Sequence, residues 1–114
     1  MKLITILLLS FPLISYAVGL TGKAIPTRVD IERGNGFMVY GSFGNVDGCS
    51  VADRFYVQNG HPQYKEIYST VLAAFMAGKK IQAYIDGCNP VTWYSAPTTT
   101  YNTVTPSSTL YLTN

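Results

Sequence analysis

Residues 62–85, PQYKEIYSTVLAAFMAGKKIQAYI, contain the clearest secondary-structure signal in this chain of 114 residues. The large apolar side chains of this stretch recur at helical spacing as one stripe, Tyr64, Ile67, Tyr68, Val71, Leu72 and Phe75. Pro62 suits the first position of a helix because it has no N–H to leave unpaired, and Gly78 suits the residue after the last turn. The stretch therefore predicts a helix over residues 62–77 whose apolar stripe packs on a sheet.

Alternation of apolar and polar residues, the pattern of a half-buried strand, occurs on both sides of this helix. The predicted strands, in chain order, are residues 25–32, 37–43, 54–57, 81–85 and 91–94. Asn35-Gly36 between the first two is a strong hairpin signal, because both turn positions require a positive φ. The side chains expected on the buried face of the first strand are Ile25, Thr27, Val29 and Ile31.

The C-terminal segment, residues 97–114, is rich in threonine and serine. Such a composition is typical of a loose tail. Leu110-Tyr111-Leu112 restores apolar character near the end, which is typical of a short closing strand. Both interpretations stay open on the sequence alone.

The order of predicted elements is three strands, one helix and then two or three strands. The chain contains no internal repeat and no linker, so we expect one domain. This order predicts an α+β, mostly β fold. Its most specific form is a small OB-like barrel of five or six strands, with the helix between the third and fourth strands.

Residues 1–17 have the three parts of a secretory signal peptide. Lys2 is positive, residues 3–14 are an apolar run, and Ser15-Tyr16-Ala17 has the small-x-small form of a cleavage site. A membrane anchor is the alternative, but a spanning helix needs about 20 apolar residues and Pro12 interrupts this shorter run. We therefore expect residues 18–114 to form a single exported domain, secreted or periplasmic, without a membrane span.

The exported domain contains two cysteines, Cys49 and Cys88. In an oxidising compartment an isolated pair is most simply a disulfide. A redox-active pair is the alternative, but such pairs usually have Cys-x-x-Cys spacing. The predicted bond closes a loop of about 40 residues and is worth about 4 kcal/mol in the chain-entropy account of disulfides.

The composition argues against several classes of function. The formal net charge of +2 is too small to mark a nucleic-acid-binding surface. His61 is the single histidine, which excludes a site with two histidine ligands from one chain, and its position before Pro62 suggests a capping role. Asp47 and Asp53 flank Cys49, but no calcium-binding ladder or paired acid–base motif surrounds them. We expect no catalytic residue, no metal and no cofactor.

Trp93 and Tyr94 are the aromatic residues predicted to contact a ligand. Consecutive residues of a strand point to opposite faces, so at least one of the two rings is expected at the surface. Flat rings beside threonine, serine and asparagine side chains suit sugars and protein interfaces. The alternative is that Trp93 fills the core of the small barrel.

Residues 37–97 resemble the B subunits of subtilase cytotoxin and of the related typhoid and pertussis-like toxins. The similarity runs through Phe37-Met38-Val39, Cys49-Ser50, the helix of residues 64–80, Ile81-Gln82-Ala83-Tyr84, and Trp93-Tyr94 with the proline that follows. The chain is equally similar to small uncharacterised exported proteins of bacteria.

This resemblance implies an OB-type fold, a homo-pentameric ring, glycan binding on host cells and association with a catalytic A-type subunit. The toxin subunits use a serine near the start of their first strand to bind sugar, and the nearest match in this chain is Thr21, before Gly22. The toxin subunits usually carry a second cysteine pair, which this chain lacks.

Three functions are compatible with the sequence. The first is a secreted, non-catalytic, glycan-binding B-type subunit. The second is a small exported protein without a sugar site that interacts with the envelope or the cell surface, and the third is an inhibitor of a secreted hydrolase. An enzyme is not expected, because no nucleophile, base and orienting residue can be assembled from the chain.

Overall fold

The computed structural model describes residues 18–31, 36–91 and 98–114. The elements within these ranges are β1 (Gly19–Leu20), β2 (Arg28–Ile31), β3 (Gly36–Tyr40), β4 (Val51–Gln58), α1 (Tyr64–Ala77), β5 (Lys80–Ile85), β6 (Cys88–Asn89), β7 (Tyr101–Val104) and β8 (Leu110–Thr113). The predominance of strands with one helix in the described chain confirms the predicted α+β, mostly β class. The predicted signal peptide, residues 1–17, lies outside the described residues.

The strands of the described chain form two sheets. The large sheet has the order β2-β3-β4-β7-β6, and the small sheet has the order β1-β5-β8. Neighbouring strands are antiparallel except β4 and β7, which are parallel. The described strands do not close into a barrel, so the OB-like barrel predicted from the element order is not confirmed.

Backbone hydrogen bonds connect the two sheets at two places. The N–H of Gly22, just after β1, donates to the carbonyl of Phe43, just after β3, at 3.1 Å. The chain between β1 and β2 therefore passes from the small sheet to the large sheet. The N–H of Thr103 in β7 donates to the carbonyl of Gly87 at 2.8 Å, between β5 and β6. The segment of β1 and β2, and that of β5 and β6, therefore each contribute to both sheets.

The helix α1 begins at Tyr64, two residues later than predicted, and ends at the predicted residue. Gly78 follows it in the left-handed conformation, with φ of 66°, and its N–H donates to the carbonyl of Ala74. Such a conformation costs a glycine little because it has no Cβ. No helix in the described ranges is long and apolar enough to cross a membrane.

The buried face of α1 differs from the predicted stripe at its C-terminal end. Ile67, Val71 and Ala74 are buried, whereas Phe75 is 40% exposed. Ala74 follows Val71 by three residues and lies on the same face, and Phe75 is turned a further 100° towards solvent. The prediction that Phe75 packs in the core is therefore wrong, and the small side chain of Ala74 takes that place.

The main core lies between α1, the small sheet and one face of the large sheet. Its buried side chains are Ala24, Phe37, Val39, Phe43, Phe55, Val57, Ile67, Val71, Ala74, Ile81, Ala83, Ile85 and Val104. The rings of Phe43 and Phe55 meet edge to face at 4.9 Å, a geometry that adds to the stabilisation from burial. Every second residue of β5 is buried, as the alternation of residues 81–85 predicts.

The first predicted strand is shorter and less buried than its alternation suggests. Residues 28–31 form β2, in which Val29 packs against the core but Ile31 is 55% exposed. Ile25, expected to be buried, is also exposed, and Pro26 is buried instead. β2 is the edge strand of the large sheet, so its outer residues have no neighbouring strand to cover them.

The C-terminal segment is not a loose tail. Tyr101–Val104 form β7, which lies between β4 and β6 and is buried along its whole length. Leu110–Thr113 form β8, which pairs with β5 as a closing strand. Residues 86–90, between two predicted strands, contain β6, and Val91 is buried outside any strand of the described chain.

Candidate functional site

Thr21, the residue matched to the toxin subunits' sugar-binding serine, is buried and forms its hydrogen bonds within the fold. It is 4% exposed, and its hydroxyl donates to the carbonyl of Gly22 at 2.9 Å. The same hydroxyl accepts from the N–H of Ala83 at 3.1 Å, and Gln82 Nε2 donates to the Thr21 carbonyl at 2.8 Å. These bonds attach the segment after β1 to β5, so the hydroxyl proton is used within the chain. A contact between Thr21 and a sugar stays a prediction.

Trp93 and Tyr94, the predicted ligand-contacting aromatic residues, lie outside the described residues. They belong to the chain between β6 and β7. A second buried apolar cluster includes residues on both sides of them in sequence, Val91 and Tyr101. The structure therefore tests neither the exposure of these two rings nor the alternative that Trp93 fills the core.

This second cluster lies on the face of the large sheet opposite to the main core. Met38 and Tyr56 belong to it, whereas their neighbours along β3 and β4 belong to the main core, as alternation along a strand requires. Burial raises the pKa of the Tyr56 hydroxyl above its usual value of 10.0, and the nearby Tyr64 adds to the rise. Buried side chains therefore cover both faces of β3 and β4 around Met38 and Tyr56.

On the same face of the large sheet, a row of charged and aromatic side chains lies at the C-terminal end of β3. Arg28, Tyr40 and Arg54 are direct cross-strand neighbours on β2, β3 and β4. The guanidinium carbons of Arg28 and Arg54 lie 4.9 and 4.4 Å from the centre of the Tyr40 ring, within the range of cation–π attraction. Asp30 accepts from Arg28 Nε at 2.7 Å and from the Tyr40 hydroxyl at 3.0 Å.

Arg54 differs from Arg28 in having no acidic partner among the described residues. The carboxylate of Asp30 is shared by Arg28 and Tyr40, and no ion pair or side-chain hydrogen bond involves Arg54 in the described chain. Its Nε–H is buried without an acceptor. The row, which we call the Arg–Tyr–Arg row, therefore presents a positive charge and hydrogen-bond donors that suit an anionic or oxygen-rich ligand.

The single histidine has both ring nitrogens engaged. His61 Nδ1 accepts from the N–H of Gln63 at 2.9 Å, so the proton of the neutral ring is on Nε2, which donates to the carbonyl of Ser108 at 2.7 Å. The ring is buried and connects the start of α1 to the turn before β8. These contacts support the predicted capping role and leave no free nitrogen for proton transfer or metal binding.

The predicted disulfide between Cys49 and Cys88 is present. It joins the start of β4 to β6, with a Cα–Cα distance of 5.6 Å. Asn45 supports it, because its amide group bonds to both the N–H and the carbonyl of Cys49 at 2.8 Å. Buried Asn102 of β7 connects this loop to the sheet by donating to Asn45 Oδ1 and accepting from the N–H of Asp47.

The two acidic residues beside Cys49 have different environments. Asp53 has a φ of 60° and accepts from the N–H of Gly44 at 3.0 Å, which holds an irregular turn in the first part of β4. Both carboxylate oxygens of Asp47 are buried and have no hydrogen-bond partner among the described residues. Asp47 and Asp53 therefore do not form a shared site. The burial of the Asp47 carboxylate has no explanation in the contacts of the fold.

Comparisons of the chain with protein-family models, with curated proteins and with solved structures find no match. Function is therefore inferred from the residues, from the strand connectivity and from the Arg–Tyr–Arg row.

Proposed function

We propose that this chain is a secreted, non-catalytic, glycan-binding subunit of the B type, built on an OB-type barrel. The strand connectivity is the observation that supports this proposal best. β1 and β2 count as halves of a first strand, β3 and β4 as the second and third, β5 and β6 as halves of a fourth, and β7 as the fifth. Under this proposed count the pairings are 1-2, 2-3, 3-5, 5-4 and 4-1, with strands three and five parallel and the helix between three and four, and they come from two separate sheets.

We propose that the ligand binds on the face of the sheet that OB-folds use. OB-folds bind oligosaccharides and oligonucleotides on the face of strands two and three, beside the loop between strands one and two and the loop between strands four and five. In this chain those strands are β3 and β4, which contain Tyr40 and Arg54. Trp93 and Tyr94 lie in sequence between the fourth and fifth strands. The Arg–Tyr–Arg row therefore lies on the face that we propose for the ligand.

The chemistry of this region suits a sugar. Aromatic rings provide apolar surface for the C–H faces of a sugar ring, and Arg54 provides donors for hydroxyl or carboxylate oxygens. The small net charge of +2 does not favour the alternative OB ligand, a nucleic acid. Host glycans are therefore the ligand class that we propose.

The assembly is proposed from the toxin resemblance. Single sugar sites are weak, and a homo-pentamer raises the avidity for a glycan-coated surface without any new contact. A catalytic A-type subunit completes such an assembly, since the proposed B-type chain has no catalytic role. Export through the predicted signal peptide places the assembly outside the cytoplasm.

The test uses purified residues 18–114 on a glycan array, with native mass spectrometry for the oligomeric state. Arg54→Gln and Trp93→Ala should each abolish glycan retention without changing the oligomer. Lys65→Gln is the matched control, because it also removes one positive charge but from an exposed position of α1. A monomeric protein that retains no glycan would contradict the proposal.

The second candidate is an exported interaction module without a sugar site, including an inhibitor of a secreted hydrolase. The observation that favours it is the exposure of apolar side chains near the end of α1, Phe75 and Met76, and on β8, where Leu112 and Tyr111 point to opposite faces of the strand. A contiguous exposed apolar patch is typical of protein-binding sites. Inhibition of lysozymes or secreted proteases, lost in a Met76→Ser/Leu112→Ser variant, would support this function over glycan binding.

A further inference from the structure

The start of β1 lines a surface groove, which we call the N-terminal groove. Its lining residues are Val18, Asp86, Gly87, Cys88, Asn89 and Thr105. In the antiparallel pairing of β1 with β5, Gly19 lies opposite Ile85. Continued by one residue, this register places Val18 opposite Asp86, and directly opposite residues point to the same face of a sheet. Val18, the first residue after the predicted cleavage site, is therefore the cross-strand neighbour of an acidic side chain.

Asp86 is the one charged side chain among these lining residues. Its carboxylate accepts from the N–H and from the hydroxyl of Thr105, at 3.2 and 2.6 Å, and these two bonds fix its position. The ion pair within the described ranges joins Arg28 to Asp30, so Asp86 has no cationic partner there. A carboxylate has about four acceptor positions, so the bonds to Thr105 leave room for a cation.

A second acidic side chain, Asp47, lies beside the N-terminal groove. One of its carboxylate oxygens is within 4.8 Å of the sulfur of Cys88, which lines the groove. The preceding residue lies against β1, because a Cβ on Gly19 would come within 3.3 Å of Val46 Cγ1. Both carboxylate oxygens of Asp47 are buried without a partner among the described residues. Burying a carboxylate without a donor is costly, so a cation near the start of β1 would be stabilised.

We propose that cleavage after Ala17 supplies this cation, and that the α-ammonium of Val18 lies between the carboxylates of Asp86 and Asp47. Hydrolysis of the Ala17–Val18 bond consumes one water, whose oxygen becomes part of the new carboxylate of Ala17. The nitrogen of Val18, uncharged within a peptide bond, takes both hydrogens of that water and becomes an ammonium. Its three donors form charge-assisted hydrogen bonds with carboxylates. The inference rests on the proposed export and cleavage, and it does not depend on glycan binding.

The amine itself provides the most sensitive readout of this ion pair. Val18 is 48% exposed, and an ion pair at such a position contributes little to the stability of a fold. Two neighbouring carboxylates favour the protonated amine, so they should raise its pKa above the usual range of about 7.7–8.0. Since only the neutral amine attacks an acylating reagent, the α-amine of the processed chain should react slowly.

The experiment expresses residues 1–114, purifies the exported protein, and determines its first residue by N-terminal sequencing and intact mass. The rate of acetylation of Val18 by acetic anhydride is then followed against pH by peptide mapping, which gives the pKa of the α-amine. Asp86→Asn should lower this pKa by about half a unit, so that Val18 reacts about threefold faster below the pKa. Asp47→Asn should change the rate in the same direction.

Asp53→Asn is the matched control, because it removes one negative charge from a residue that does not line the N-terminal groove. Asparagine keeps the acceptor for the N–H of Gly44 and tolerates the positive φ of this position. The acetylation rate of Val18 should equal that of the wild-type protein.

An exported chain that begins at a residue other than Val18 would overturn the proposal. An α-amine with the same pKa in the wild-type, Asp86→Asn and Asp47→Asn proteins would also overturn it, because the ammonium would then be solvated rather than paired. The glycan array tests the proposed function separately. A raised pKa in a protein that retains no glycan would support the ion pair and contradict the B-type function.

Discussion

At the scale of the single residue, Gly36 leaves less room for a side chain than any other glycine of the described ranges. It begins β3 with a φ of 132°, a conformation that residues with a Cβ rarely adopt. A Cβ at this position would overlap the carbonyl oxygen of Val57 and lie 2.6 Å from the Tyr56 ring. Gly36→Ala should therefore lower the free energy of unfolding by about 2–5 kcal/mol through backbone strain and overpacking, measured by urea denaturation.

Gly60→Ala is the control for this substitution. A Cβ there meets nothing nearer than Pro106 at 4.0 Å, so the change should stay within about 0.5 kcal/mol. Equal effects at the two glycines would show that Gly36 is not constrained as described.

The Asn35-Gly36 pair made a turn glycine predictable from the sequence. The ring and carbonyl that enclose it belong to β4, and local sequence does not reveal which cross-strand residues are neighbours.

Local sequence does not reveal the cross-strand neighbours of the candidate site either. The sequence identified aromatic residues by type, and it identified His61 as a capping residue from its place before Pro62. The Arg–Tyr–Arg row was not predictable, because Arg28, Tyr40 and Arg54 become neighbours only through the register of three strands. The orphaned carboxylate of Asp47 was equally hidden, since its burial depends on β7, a strand distant in sequence.

At the scale of the element, α1 stabilises the fold through a narrow buried face. Ile67 packs in the main core, whereas Met76 on the opposite side is 81% exposed. Ile67→Ala removes buried methyl and methylene groups and leaves a cavity, so we expect a loss of about 2–5 kcal/mol of unfolding free energy. Met76→Ala should change stability by less than about 0.5 kcal/mol. Urea denaturation of both variants checks the assignment, and similar losses for the two would mean that the helix packs in another orientation.

The helix was the best predicted element, because the spacing of its apolar residues and the glycine after its last turn are signals in the local sequence. β7 was the least well predicted. Threonine and asparagine are typical of loops, but Asn102 and Thr103 are buried in β7 because their polar groups are hydrogen-bonded inside the protein. Composition alone does not distinguish a solvated polar segment from one whose polar groups have partners in the fold.

At the scale of the whole molecule, the large sheet depends on a pairing between strands far apart in sequence. β4 and β7 are parallel neighbours, and the helix, β5 and β6 lie between them in the chain. The order of β2, β3, β4, α1 and β5 followed from the sequence, as did the fold class, whereas β1, β6 and β7 were not predicted. The parallel pair did not, because hydrophobic periodicity states which face of a strand is buried but not which strand is beside it.

The disulfide is positioned to stabilise this long-range arrangement. Cys49 and Cys88 are 39 residues apart and join β4 and β6, the two strands on either side of β7. Without the bond the unfolded chain has more conformational freedom, so Cys49→Ser/Cys88→Ser should lower the free energy of unfolding by about 2–5 kcal/mol. Urea denaturation measures the loss. Reduction of the wild-type protein should produce a similar loss, whereas the reductant should not affect the double variant. Reactive thiols in the unfolded, unreduced wild-type protein, or a loss below about 1 kcal/mol, would show that the bond does not stabilise the sheet in this way.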